Sequence, residues 1–98
     1  MKSNADLKLE HLLGELLHLA TSLGIKIRQE TLGDEETPAE SGLVFLDGEP
    51  ILFLDRRISS ADAVEVAARE LSRFSLEDIY VKPAVRYLLR DKRRDWED

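Results

Sequence analysis

Three side chains near the start of the sequence have the residue types and the spacing of a metal site. His11, Glu15 and His18 recur at i, i+4 and i+7, so on a helix they would share one face. Imidazole nitrogens and a carboxylate together suit Zn²⁺ or another divalent ion. That face lies opposite the apolar residues of the same segment, however, and exposed ligands without supporting hydrogen bonds bind metal poorly. We therefore expect a solvated helix face here, with a metal-dependent hydrolase as the alternative.

A second set of residues follows a predicted hairpin. Residues 68–74 read A-R-E-L-S-R-F. They resemble the A-H-E-L-G-H-L stretch of ImmA/IrrE-type metallopeptidases, with Arg69 and Arg73 in place of both His. The upstream layout is also similar, because residues 23–27, 42–43 and 51–54 occupy the matching places of a strand and a Gly-led hairpin. The resemblance implies a peptidase-like fold over residues 7–74, with Glu70 at the place of the general base.

The two arginines remove the chemistry that this motif performs. In H-E-x-x-H, two neutral imidazoles bind zinc while the Glu activates the bound water. A guanidinium is charged at physiological pH and offers only donors, so Arg69 and Arg73 cannot ligate zinc. The resemblance therefore implies that the chain is a relic of a peptidase that has lost its metal. The plainer interpretation is a solvated helix face on which Glu65 pairs with Arg69, and Glu70 with Arg73.

Charge is distributed unevenly along the sequence. Residues 30–55 contain eight acidic side chains and no basic one, whereas residues 82–94 contain six basic side chains and one acidic one. Acidic residues return in the last four positions, around the single Trp. A contact surface of either sign is therefore possible locally, although the formal net charge of the chain is −6.

The basic segment supplies candidate interaction residues. A helix would align Arg86, Arg90 and Arg93 or Arg94 in one stripe, which could grip phosphates. Neighbouring acids screen that stripe, so nucleic-acid binding is the less favoured alternative. Trp96 is a further candidate for contact with a partner, although a Trp can equally cover a small core.

Composition limits the function further. The 98 residues contain no Cys, which excludes disulfides, thiolate nucleophiles and Cys-ligated metal centres. The 43% apolar content is enough for one modest core, but no apolar run approaches the roughly 18 residues that span a bilayer. Glycine-rich phosphate-binding motifs are also missing. We expect a cytoplasmic protein that uses no cofactor and does not enter a membrane.

Local patterns predict the elements that position these residues. Apolar residues recur with helical spacing in the first segment, where Asn4 or Asp6 is the expected cap. Two β-rich runs flank Asp47-Gly48, which is a strong hairpin signal. Ser59 and Pro83 favour the starts of two later helices. The predicted elements are helices over 6–23, 60–74 and 83 to about 90 or 94, strands over 25–29, 42–46 and 51–54, an acidic loop over 34–41 and a charged tail over 91–98.

Together these patterns predict a single α+β domain over residues 1–98. We expect a three-stranded antiparallel sheet, made of a strand and a β-hairpin, packed by the three helices. Because the sequence offers no complete set of catalytic residues, we expect a non-enzymatic domain that contacts a protein partner or a second copy of itself. The hairpin edge, if unpaired, and the Arg/Trp tail are the expected contact elements.

Overall fold

The computed structural model describes residues 2–37 and 39–96. The predictions that concern Pro38 in the acidic loop, and Glu97 and Asp98 in the tail, lie outside the described residues. The predicted α+β class with a three-stranded sheet is confirmed. The elements in chain order are α1 (Asn4–Ser22), β1 (Lys26–Glu30), β2 (Gly42–Leu46), β3 (Glu49–Asp55), α2 (Ser60–Leu71) and α3 (Pro83–Arg93).

The sheet is mixed rather than antiparallel throughout. Its order is β1-β3-β2, in which β2 runs antiparallel to β3 as predicted and β1 runs parallel to it. The long connection over residues 31–41 allows this arrangement, because it carries the chain from the end of β1 to the far edge of the sheet, where β2 begins. The hairpin then brings β3 back between β2 and β1. The most buried strand, β3, thereby gains a neighbour on each side, and Leu52 and Leu54 are almost completely buried.

The hairpin turn follows directly from two residues. Asp47 and Gly48 both have positive φ angles, of 52° and 83°. Such a pair matches the right-handed twist of the flanking strands, and Gly and Asp tolerate it better than most residues. This turn sets the register in which Leu43 lies opposite Leu52.

Side-chain caps define the starts of the first two helices. Ser3, and not Asn4 or Asp6, caps α1: its Oγ accepts from the Asp6 N–H at 3.1 Å, and the Asp6 carboxylate accepts from the Ser3 N–H. This reciprocal arrangement puts Asn4 inside the helix. For α2 the predicted cap is confirmed, since the Ser59 Oγ accepts from the Asp62 N–H at 3.1 Å.

The core lies between one face of the sheet and the helices. Leu16, Leu52 and Leu71 are fully buried there, contributed by α1, β3 and α2. The helix α3 packs on the helical layer, where Val85 and Leu89 are buried. No helix in the described part of the chain is long and apolar enough to cross a membrane.

Both ends of the acidic loop are attached to one carboxylate residue. Asp55 is 7% exposed, and its Oδ2 accepts from the Leu32 N–H at 3.3 Å. The Asp55 N–H donates to the Ser41 Oγ at 2.8 Å, while the Arg57 guanidinium donates to both carboxylate oxygens. These hydrogen bonds, led by those from Arg57, hold the pKa of Asp55 well below its usual range.

The lowered pKa of Asp55 predicts a specific acid sensitivity. A carboxyl whose folded pKa lies below its unfolded value stabilises the fold above the unfolded pKa, and this contribution is lost as the pH falls. We expect Asp55→Asn to lower the urea midpoint clearly near pH 7, and the difference from the wild type to shrink below about pH 4. Glu35→Gln, on an exposed carboxylate of the same loop, is the control and should leave the profile unchanged. Parallel wild-type and Asp55→Asn profiles down to about pH 3 would contradict the assignment.

Candidate functional site

The first helix presents the His–Glu–His face to a groove beside α3. His11 Nε2 and Lys82 Nζ lie 2.9 Å and 2.8 Å from Glu15 Oε1. The hydrogen bond from Lys82 is the main reason why the pKa of Glu15 is lowered. The groove has a volume of about 420 Å³ and an apolar floor that includes Leu19 and Val85.

Glu15 therefore has a different partner from the one that a metal site requires. Its carboxylate is shared between His11 and an ammonium from the residue that precedes α3, and His18 lines the groove without joining this pair. Within residues 2–37 and 39–96, no three His, Asp or Glu side chains are grouped so that they could hold a metal ion. The role of Lys82 was not predictable locally, because it is 67 positions away from Glu15 in the sequence.

The residues of the degenerate motif on α2 contact the end of the chain and the sheet. The guanidinium carbons of Arg69 and Arg73 lie 5.0 Å and 4.9 Å from the centre of the Trp96 ring, within cation–π range. Glu70 Oε2 accepts from the Leu43 N–H at 3.2 Å and pairs with Arg73 at 3.3 Å. Its side chain is only 13% exposed. Each of the three residues thus has a structural partner.

One of the two expected ion pairs on α2 forms and the other does not. Glu70 pairs with Arg73 as the spacing predicts, whereas Glu65 pairs with Lys92 of α3 instead of Arg69. This exchange leaves Arg69 to face Trp96.

The tail is fixed to the end of α2 by hydrogen bonds to backbone carbonyls. Arg93 donates to the carbonyls of Ser72 and Phe74 at 3.1 Å and 3.2 Å. The indole N–H of Trp96 lies 3.1 Å from the Arg69 carbonyl and 2.9 Å from the Ser72 Oγ. Two of the five predicted interaction residues, Arg93 and Trp96, therefore make contacts within the chain.

The remaining arginines of the basic stripe are divided. Arg86 and Arg90 line, with Arg93, an open groove of about 270 Å³ between α3 and the segment after α2. Glu77 lines the same groove and offsets part of its positive charge. Arg94 lies just after α3 and is exposed.

The outer edge of β2 is the third candidate site, and it carries the exposed apolar surface of the sheet. Val44, Phe45 and Leu46 are 42%, 57% and 52% exposed. In the described residues no strand pairs with this edge, since β2 is the last strand of the sheet. The opposite edge, formed by β1, exposes Lys26 and Arg28, which form ion pairs with Glu49 and Glu30 respectively.

Scans against protein-family models, curated proteins and solved structures find no match to this chain. The assignment of a function therefore depends on the geometry of these three candidate surfaces. Of the three, the β2 edge combines exposed apolar side chains with unpaired backbone groups, which are the two components of strand-to-strand recognition.

The contact of Trp96 with α2 can be tested through its fluorescence, because it is the only Trp in the chain. We expect Arg69→Ala combined with Arg73→Ala to increase acrylamide quenching of Trp96, since both cations over the ring are removed. A double-mutant cycle between Arg73 and Trp96, measured by urea unfolding, should give a coupling energy of about 0.5–1 kcal/mol. Arg86→Ala, which removes an Arg of α3 that lines the other groove, is the control. Unchanged quenching in the double variant would contradict the contact.

Proposed function

We propose that the chain is a non-catalytic cytoplasmic protein-interaction domain, an accessory subunit that binds its partner along the outer edge of β2. The observation that carries this proposal is the run of three consecutive exposed apolar residues, Val44, Phe45 and Leu46, on an unpaired edge strand. Natural sheets normally protect such edges with charge, Pro or a covering element, because an open apolar edge recruits other strands. On β1 that protection is present as a row of charged side chains. An exposed edge on β2 alone is consistent with a binding role.

The contacts of the other candidate residues support a non-catalytic role. Glu15 is held by Lys82, Glu70 by the Leu43 N–H and Arg73, and both arginines of the motif lie over Trp96. Each of these charged groups already has a partner within the fold, which supports a structural role for it. The ImmA/IrrE-like layout adds a hypothesis on ancestry, in which Glu70 would be the remnant of a general base that now supports β2.

The two other functions that the sequence allows have distinct signatures. A metal-dependent hydrolase using His11, Glu15 and His18 should copurify with stoichiometric metal and be stabilised by adding it. A nucleic-acid-binding module using Arg86 and Arg90 should bind DNA or RNA with steep salt dependence.

A photoreactive side chain at the edge tests the proposed interaction. With benzoylphenylalanine in place of Phe45, illumination of the native cellular background should give a defined covalent adduct with another protein. The same probe in place of Arg28, on the β1 edge, should give little adduct, because the proposed partner does not contact that strand.

Equal adduct yields from the two positions would count against β2 as the binding edge. Phe45→Asp with the probe moved to Leu46 is a second control, since a charge on the apolar edge should suppress the adduct. Metal analysis and nucleic-acid titration of the same purified protein address the two alternatives.

A further inference from the structure

Hydrogen-bond directions show which backbone groups of β2 are open to a partner. The Leu43 N–H donates outward to Glu70, and Phe45 lies opposite Pro50, which has no N–H. Leu43 and Phe45 therefore occupy the non-hydrogen-bonded positions of the antiparallel pair, at which the backbone N–H and carbonyl groups point away from β3. The N–H and carbonyl of Phe45 therefore face the free edge, where an added strand would pair with them.

The apolar surface at this edge continues onto the open face of the sheet. Leu43 packs on the core, so its neighbours Val44 and, two residues on, Leu46 lie on the opposite face. Val44 is aligned there with Ile51 of β3, which is half-buried. An extended segment added beside β2 would thus contact an existing apolar surface with every second side chain.

Acidic residues lie at both ends of the same edge. Glu40 and the loop before it precede β2, and Asp47 and Glu49 follow it. Lys26 pairs with Glu49, but residues 30–55 contain no basic side chain of their own. Glu70, which also reaches this edge at Leu43, is paired with Arg73. The edge is therefore an apolar strand with an excess of carboxylates at its two ends.

This charge pattern discriminates between occupants of the edge. If the β2 strands of two copies paired antiparallel about Val44, Ser41 of one copy would lie opposite the Asp47-Gly48 turn of the other. Glu40 would then lie next to that turn, so the acidic ends of the two strands would meet. Parallel pairing would also place like ends together. Both arrangements bring carboxylates close to carboxylates, which is unfavourable. A segment with positive ends has the complementary charge.

We propose that the β2 edge binds an extended basic segment of another protein, which adds as a fourth strand with apolar residues against Val44 and Leu46 and Lys or Arg at its ends. This inference rests on the proposed interaction function and specifies the class of partner. The backbone of Phe45 supplies affinity, the apolar face supplies area, and the two acidic ends set the charge of the ligand.

Dye-labelled synthetic peptides provide the test, with binding followed by fluorescence anisotropy. The first peptide has a core of alternating valine and threonine flanked by arginines. A second has glutamates in place of the arginines, and a third has the arginine flanks with a proline in the core. We expect the first to bind at least about tenfold more tightly than either other peptide, and more weakly as salt is raised.

Variants of the protein locate the binding. Phe45→Pro removes the outward N–H without removing a donor to β3, so it should abolish binding while far-UV circular dichroism stays unchanged. Glu40→Gln with Asp47→Asn should weaken the basic peptide several-fold. Glu77→Gln with Asp91→Asn makes the same change in net charge far from β2 and should have no effect.

The outcomes separate this inference from the proposed function. Equal binding of the arginine- and glutamate-flanked peptides would overturn the basic class and leave β2 as an interaction edge. Binding of the basic peptide that survives both Phe45→Pro and the core proline would overturn strand addition. A dimer in sedimentation that is lost on Phe45→Pro would identify a second copy as the occupant and overturn the inference. If no peptide binds and the Phe45 probe gives no adduct, the proposed function fails as well.

Discussion

Burial of the central strand is the constraint from which the rest of the molecule follows. Leu52 and Leu54 can leave water only if β3 has a strand on each side and helices over its inner face. A sheet of three strands has one central position and two edges, so each of the two flanking strands has backbone groups on its outer side that no strand of the sheet can pair with. The helices α1 and α2 cover one face, and the charged residues of β1 protect one edge. The apolar edge of β2 is the part of the sheet that this arrangement leaves open.

Polar contacts between distant segments complete the fold at the ends of its elements. Asp55 fixes the loop between β1 and β2, and Lys82 ties the start of α3 to Glu15 of α1. Arg93 and Trp96 join the end of α3 to the end of α2. In each case a charged or hydrogen-bonding side chain contacts backbone groups or a carboxylate of a different segment. These side chains look available for function in the sequence because their partners are far along the chain.

Most local features of the fold were predictable from the sequence, whereas its long-range pairings were not. Asp47-Gly48 and Pro83 act through their own backbone preferences, and the Ser59 side chain acts on a backbone N–H three residues away, so the hairpin and two helix starts are confirmed. The cap at Ser3 was missed because several capping residues occur together there, and only geometry selects among them. The predicted antiparallel direction of β1 was wrong, because side chains alternate in the same way in parallel and antiparallel strands and the sequence pattern does not distinguish the two.

The candidate sites show the same division. Because the hairpin strands lack charge at their centres, the sequence predicted that an unpaired hairpin edge would be a contact element. Which of the two hairpin strands would form that edge was not predictable. The contact of Arg69 and Arg73 with Trp96 had no local signal, because motif and tail are separated by more than a helix. The partner exchange of Glu65, from Arg69 to Lys92, likewise depends on how α3 packs.

The parallel pairing of β1 with β3 also has a kinetic consequence. The β2–β3 hairpin closes through a two-residue turn, and such units form within microseconds. Every residue of β1 pairs with one 25 positions further along, so its pairing must await the closure of a much longer loop. Until β1 pairs with it, β3 is itself an edge strand, and both edges of the hairpin can form hydrogen bonds with other chains. The native molecule keeps one of these two edges open, and folding speed determines how long the other is at risk of aggregation.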